Sequence, residues 1–370
     1  MIRIFQALSA PATWGTNNST IWLRNLYEPL LELGHEVSLW QFERGKSCDW
    51  SEPLLDAFRR EHARRRFDLF FSYFQDGMVE PAAILEIKKT GVPTCNFSCN
   101  NTHQFHLIEK LSPVFDYNLY AEKDAKPQFE KIGARGIWFP MAANPRYYRP
   151  YDVQRTIDVS FVGQEYAKRH LHVWHLLQSG VDVHVYGPGW RRDDGLTAVR
   201  RWLRRTRAAL RVLRARSVDD RARLSGDLAR RDLTSLMVSR YGSNIHGTLT
   251  DEEMIRKYSE SHISLGFLEV LDKCDPLGMV KEHIHLREFE APMSGALYCT
   301  GYCHELTEFY EPEKEVITYW NENDLLDKIN YYLAHSGEAE RVRQAGRRRA
   351  LESHTYQKRF QDLFDSIGLK

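Results

Sequence analysis

Residues 281–295 read Lys-Glu-His-Ile-His-Leu-Arg-Glu-Phe-Glu-Ala-Pro-Met-Ser-Gly. The apolar run His262-Ile-Ser-Leu-Gly-Phe-Leu268 precedes this stretch and reads as a buried strand, and a second short apolar run, Ala296-Leu-Tyr-Cys-Thr300, follows it. The stretch places two carboxylates, Glu282 and Glu290, eight positions apart, ahead of a small-residue turn at Ser294-Gly295. A carboxylate at the mouth of such a unit can accept two hydrogen bonds from a vicinal diol, the usual grip on a ribose or a hexose. The plainer reading makes Glu282, Glu288 and Glu290 a solvated helix face, because Glu is a good helix former. On spacing alone the plainer reading leads; the rest of the chain changes the balance.

Working outward, strand signals alternate with helical ones, which predicts an α/β protein built on parallel sheets. Strands are expected near 2–8, 36–40, 69–73, 94–97, 117–120 and 136–139, with a helix over about 20–33 closed by Gly34. Pro140, Pro145 and Pro150 then deny a continuous helix or central strand and mark a connector. A second alternation starts at Ile157-Asp-Val-Ser-Phe-Val-Gly163 and continues through Val181-Asp-Val-His-Val-Tyr-Gly187. Beyond Gly247, Thr250 and Glu253 have the spacing of a capping box. Strands near 263–268, 296–300 and 316–319 and helices over 323–333, 338–351 and 355–364 complete the chain. Two tandem Rossmann-like, doubly wound domains follow: residues 1–140, a hinge over 141–152, and residues 153–350. Residues 351–370 are expected to form a C-terminal helix that packs back on the first domain.

A length of 370 residues suits two domains, and 42% hydrophobic with 12% aromatic residues excludes a disordered chain. The formal charge of +1 hides an asymmetry. Residues 191–231 hold 14 Arg, no Lys and 5 Asp, a balance of +9, and the remainder carries −8. An Arg-rich insertion is therefore expected over 191–246. The six cysteines include two C-x3-C spacings, Cys95/Cys99 and Cys299/Cys303. Because Cys95 and Cys299 fall in or beside apolar runs, buried reduced thiols are a better reading than zinc. No apolar run approaches the ~20 residues of a membrane span, and the opening Met-Ile-Arg-Ile-Phe reads as a first strand. The expected location is the cytoplasm. No G-x-G-x-x-G follows a strand, which argues against a dinucleotide oxidoreductase.

Several segments together resemble the GT-B nucleotide-sugar glycosyltransferases, in particular the spore-maturation-type (CgeB-like) group. They are the loop Trp14-Gly15-Thr16, Gly34-His-Glu-Val37, Pro140-Met-Ala-Ala-Asn-Pro145, Ser160-Phe-Val-Gly163 with Lys168-Arg169, Val185-Tyr-Gly-Pro-Gly-Trp190 and Leu286 to Ala296. The tail from Asn330 to Arg359 also fits. The resemblance implies a hexosyltransferase that moves a sugar from a nucleotide-sugar donor to a glycan, lipid-linked or protein acceptor, with the donor in the C-terminal domain. Closure about the hinge is then expected to expel water.

In an open α/β sheet ligands bind beyond the carboxyl ends of the strands. A nucleotide diphosphate needs cations and backbone N–H donors there, and glycines that let the backbone approach. Gly163, Lys168 and Arg169 supply that combination, with Gly15, Tyr186 and Gly187 as further candidates; the plainer reading makes Lys168 and Arg169 surface charges at a helix start, behind the phosphate reading, and Gly187 a structural turn. The resemblance implies that Glu290 accepts from the ribose hydroxyls and that Arg287 helps with phosphate. Glu282 echoes the first acid of the E-x7-E pattern of retaining enzymes, but His283, Ile284 and His285 stand where small residues are expected. For an inverting enzyme the base candidates are His103 and Asp76, each at a strand exit in the first domain, since Asn100 and Asn101 replace the acids that related proteins place nearby. Each also reads as an ordinary loop residue.

No D-x-D pair stands at a strand end, so no metal and no cofactor is indicated, and Arg, Lys and helix dipoles are expected to stabilise the leaving group. Val199, Leu203, Leu210 and Leu213 make an apolar stripe on an Arg-covered helix. That segment suits either an anionic membrane surface, which would make the protein peripheral at the inner face, or a solvated hairpin. Nucleic acid is disfavoured because Trp202 is the lone stacking aromatic in the run. Two alternatives remain open: a sugar-nucleotide epimerase or hydrolase on the same fold, and a non-catalytic protein that binds an anionic polymer.

Overall fold

The computed structural model describes residues 1–10, 13–14, 17–18, 21–43, 49–191, 206–207, 210–214, 218–271 and 280–369. The chain divides into two compact units, residues 1–147 with 350–370, and residues 148–349.

The first unit is built on six strands: β1 (Arg3–Ser9), β2 (Glu36–Phe42), β3 (Leu69–Ser72), β4 (Thr94–Ser98), β5 (Tyr117–Tyr120) and β6 (Gly136–Trp138). Their order across the sheet is β2-β1-β3-β4-β5-β6 and every pairing is parallel. β3 is buried at all four positions, which is why it reads as an unbroken apolar run rather than an alternating one. Phe5 packs edge-on against Phe58 and Phe67 and stacks with Phe70, so aromatic rings fill the layer between the sheet and the helix Ser51–Arg64. Where the sequence predicts one helix over 20–33, a π-helical turn at Leu23–Tyr27 leads into α1 (Glu28–Glu32). Pro29 sits in the first turn of α1 and has no N–H, so the regular ladder cannot run through it. The helix Tyr356–Ile367 belongs to this unit. Its buried residues Tyr356, Phe360, Leu363 and Phe364 recur at helical spacing, and Gly368 ends it in the left-handed conformation.

The second unit carries five strands: β7 (Ile157–Val162), β8 (Val183–Tyr186), β9 (Ser261–Leu265), β12 (Tyr298–Gly301) and β13 (Ile317–Tyr319), with an antiparallel ribbon of β10 (Glu269–Leu271) and β11 (Val280–Glu282). The sheet order is β8-β7-β9-β12-β13, all parallel. The chain steps to one side of β7 and then to the other, so the strand order reverses between β7 and β9. That reversal opens a crevice at the carboxyl ends of these two strands.

Between β8 and β9 the chain forms the helix Val218–Arg240 and returns beside β8, where Asn244, His246 and Gly247 share backbone hydrogen bonds with Val185 and Gly187. Met237 of that helix is fully buried in the core with Val183, Val185 and Trp190. The next helix, Asp251–Glu260, opens on the capping box expected from Thr250 and Glu253: the Thr250 side chain accepts from the Glu253 amide, and the Glu253 carboxylate accepts from the Thr250 amide. Thr250→Ala is expected to lower the unfolding free energy by about 1 kcal/mol, measured by urea denaturation. An unchanged midpoint would show that the cap is idle.

Candidate functional site

The crevice between β7 and β9 holds two arginines. Gly163 follows the last residue of β7, and Arg169 begins the helix α2 (Arg169–Gln178). Arg169 is only 5% exposed, so it is not the surface charge that its place at a helix start also allowed. Its Nη1 donates to the Gln164 carbonyl, and its Nη2 donates to the Phe267 carbonyl just past β9. Arg287 comes from the other side, at the start of the helix Arg287–Met293. Both guanidiniums lie over the ring of Phe161, at 5.6 Å for Arg169 and 5.2 Å for Arg287. Nε of each is buried and has no hydrogen-bond partner among the described residues. Burial, and then the charge of Arg287, lower the Arg169 pKa to about 10. Burial also works against the charge on Arg287, but Tyr258, Tyr298, Glu288 and Glu290 outweigh it and raise its pKa. Two like charges, each with a buried Nε that has no partner, form a site suited to an anion.

The glycines are here for room. A Cβ on Gly163 would stand 2.6 Å from Arg287 Nη2 and 2.7 Å from Phe161 Cζ. Gly187, at φ +138°, presses against the Gly163 carbonyl, which a Cβ would approach to 2.4 Å. Trp190 Nε1 donates to that same carbonyl at 2.7 Å. The 163 and 187 loops are thus locked backbone to backbone, and Gly187 is required by that contact. Ala167, in the loop before α2, holds φ +52°, a strained conformation for a residue with a Cβ.

The three carboxylates of the 281–295 stretch do not form a solvated helix face. Glu282 lies on strand β11, opposite Glu269 of β10; partial loss of water around its carboxyl, and then the charge of Glu269, raise its pKa. Glu288 is fully buried; it accepts from the Tyr298 hydroxyl and the His285 amide, both at 2.7 Å. Glu290 is 5% exposed, and its Oε1 accepts from the buried Tyr148 hydroxyl at 2.6 Å. Burial pushes its carboxyl up to about 7, against the Tyr148 hydrogen bond and the charge of Arg287. Among the described residues no group reaches Glu290 Oε2. Glu269 adds a fourth carboxylate, bonded to His172 at 2.5 Å.

The remaining candidates separate. Lys168 is exposed at the α2 N-cap. Tyr186 is buried and stacked on His246 at 4.4 Å, and His246 in turn bonds His184. Gly15 lies outside the described residues. In the first unit, both oxygens of Asp76 accept backbone amides, from Lys110 and Leu111, the work of a loop brace. His103 is 6% exposed on the short helix Asn101–Gln104, after Asn100 at φ +60°. The buried Glu122 holds that turn through the Asn100 and Thr102 amides.

Sequence reasoning missed Tyr148, Phe161, Phe267, Tyr258 and the burial of Glu288. The signal for Phe161 was present, two positions before Gly163 on a predicted strand. Tyr148 lies 142 positions from its partner Glu290, and nothing local marks it.

Comparison with known proteins bears on the fold. A family described as "Glycosyl transferase-like" matches over residues 204–365. Sucrose-phosphate synthase from Thermosynechococcus elongatus superposes with a TM-score of 0.62 at 12% identity, over 100% of this chain and 99% of that one. The fold is that of the GT-B glycosyltransferases. Anabaena Alr3699/HepE, solved in complex with UDP and glucose, shares the GT-B fold at a TM-score of 0.58 and 11% identity over all of both chains. A glycosyltransferase from Rickettsia africae does so at 0.61 and 12% identity, over 99% of this chain and 97% of that one. No curated protein matches the chain by sequence.

The burial of Glu290 has a consequence for stability. A carboxyl whose pKa is higher folded than unfolded favours the folded state most at low pH, below its ordinary value of 4.5, and loses that contribution as pH rises through about 7. Relative to Glu290→Gln, the wild-type melting temperature should therefore fall between these limits and level off above them. Parallel pH profiles for the two proteins would contradict the assignment.

Proposed function

We infer that the protein is a glycosyltransferase, of the spore-maturation-type group and acting on a hexose, that transfers the sugar from a nucleoside diphosphate to a hydroxyl acceptor. The observation that carries this reading is the Arg169–Arg287 pair with its idle Nε donors at the reversal between β7 and β9. The diphosphate bridges the two guanidiniums, and the Gly163 backbone allows its approach. Glu290 keeps Oε1 on Tyr148 and offers Oε2 to the ribose hydroxyls. Glu282 and Glu269 stand on the ribbon on the sugar side.

As the bond from the anomeric carbon to the phosphate oxygen breaks, negative charge gathers on the diphosphate. Two cations already fixed in a dry site stabilise that charge without reorganising. The same groups make metal assistance unnecessary in this reading. The acceptor belongs to the first unit, where His103 is the base for an inverting reaction. Asp76 is left out of this role because its oxygens are engaged by backbone amides.

UDP is the first donor nucleotide to test, because Anabaena Alr3699/HepE was solved with it. Calorimetry should show that Arg287→Ala weakens UDP by about 2–4 kcal/mol, roughly thirtyfold or more, while uridine affinity is unchanged. Equal losses for both ligands would contradict the diphosphate role. If UDP, GDP, dTDP and CMP all fail to stabilise the wild-type protein, the donor reading fails. A donor epimerised or hydrolysed at an undiminished rate without any acceptor would exchange transfer for the alternative chemistry.

A further inference from the structure

The donor site leaves the arginine-rich interval unused. Residues 191–231 carry 14 Arg and 5 Asp and no Lys, while the rest of the chain is net acidic. Residues 210–214 are helical, and they present Leu210 at 43% and Leu213 at 73% exposure. Three positions apart on a helix, these two leucines share a face. Arg207, Arg211 and Arg214 are exposed around them, and none of the three forms an ion pair among the described residues. Exposed Leu236, at 38%, adds an apolar position on the helix Val218–Arg240 that follows.

That following helix is firmly seated. Met237 and Thr234 are buried, and Arg230 lies 3.7 Å from the buried Glu165. Leu210 and Leu213 are thus open to solvent beside the exposed Arg207, Arg211 and Arg214.

We propose that this segment is a docking element that lays Leu210 and Leu213 into an anionic lipid surface, with the surrounding arginines on the headgroups. The charge complementarity selects anionic over zwitterionic lipid. The leucines select lipid over nucleic acid, because an aliphatic side chain offers a phosphate backbone nothing, whereas it gains from entering the acyl boundary. Arginine serves better than lysine here, since its planar, weakly hydrated fork binds phosphate in pairs of hydrogen bonds. This inference does not rest on the donor reading, and each can fail alone.

The test is sedimentation of the full chain with vesicles of phosphatidylcholine alone and of phosphatidylcholine mixed with phosphatidylglycerol. The wild type should sediment with the mixed vesicles only and be released by salt. The double variant Leu210→Ser/Leu213→Ser should lose about tenfold in vesicle affinity, with an unchanged melting temperature because both side chains are exposed. In a separate variant, Leu213→Trp, the introduced fluorescence should shift to the blue with mixed vesicles. Failure to sediment with them, retention undiminished in the serine variant, or no fluorescence shift would overturn the proposal. Displacement of the vesicles by single-stranded RNA that binds the serine variant equally well would assign the segment to nucleic acid and overturn it too.

Discussion

Two guanidiniums held against one aromatic ring, with fewer acceptors than donors, are the constraint around which the second unit is organised. Each costs free energy to bury, and their mutual repulsion adds to that cost. The unit meets it with a ring of compensations: the Gln164 and Phe267 carbonyls for Arg169, and Tyr258, Tyr298, Glu288 and Glu290 around Arg287. The compensation is incomplete at Nε of both. Buried guanidiniums that each keep an unpartnered Nε are arranged to receive an anion.

The glycines and the strain belong to the same arrangement. Gly163 makes space for Arg287 and for the Phe161 ring that both arginines cover, Gly187 lets the neighbouring loop close on the Gly163 carbonyl, and Ala167 bends the entry to α2. Packing and chemistry therefore coincide at these residues. A methyl group added at Gly163 acts on the fold and on the guanidinium together.

Much of this was legible in the sequence where the physics is local. The strand positions followed from short apolar runs, the helix start at Asp251 from the spacing of Thr250 and Glu253, and the loop after β7 from its glycine and paired cations. What depends on distant partners was not. Glu282 and Glu290 look like one periodic face in the sequence, yet the first lies on a strand and the second is buried in a helix. Glu288 reads as solvent-facing until Tyr298 and the His285 amide are seen to claim it. The π-helical turn ahead of α1 hid because Pro29 is a favourable helix-start residue as well as an interruption. Asp76 has the composition of a catalytic acid at a strand exit; only its two backbone partners show it bracing a loop.

The most direct test of the central claim is a crystal structure of the chain soaked with UDP. The account predicts diphosphate oxygens at about 2.7–2.9 Å from Nε or Nη of both Arg169 and Arg287, with a ribose hydroxyl on Glu290 Oε2. A diphosphate bound elsewhere, with the two arginines still facing each other without an anion, would contradict it.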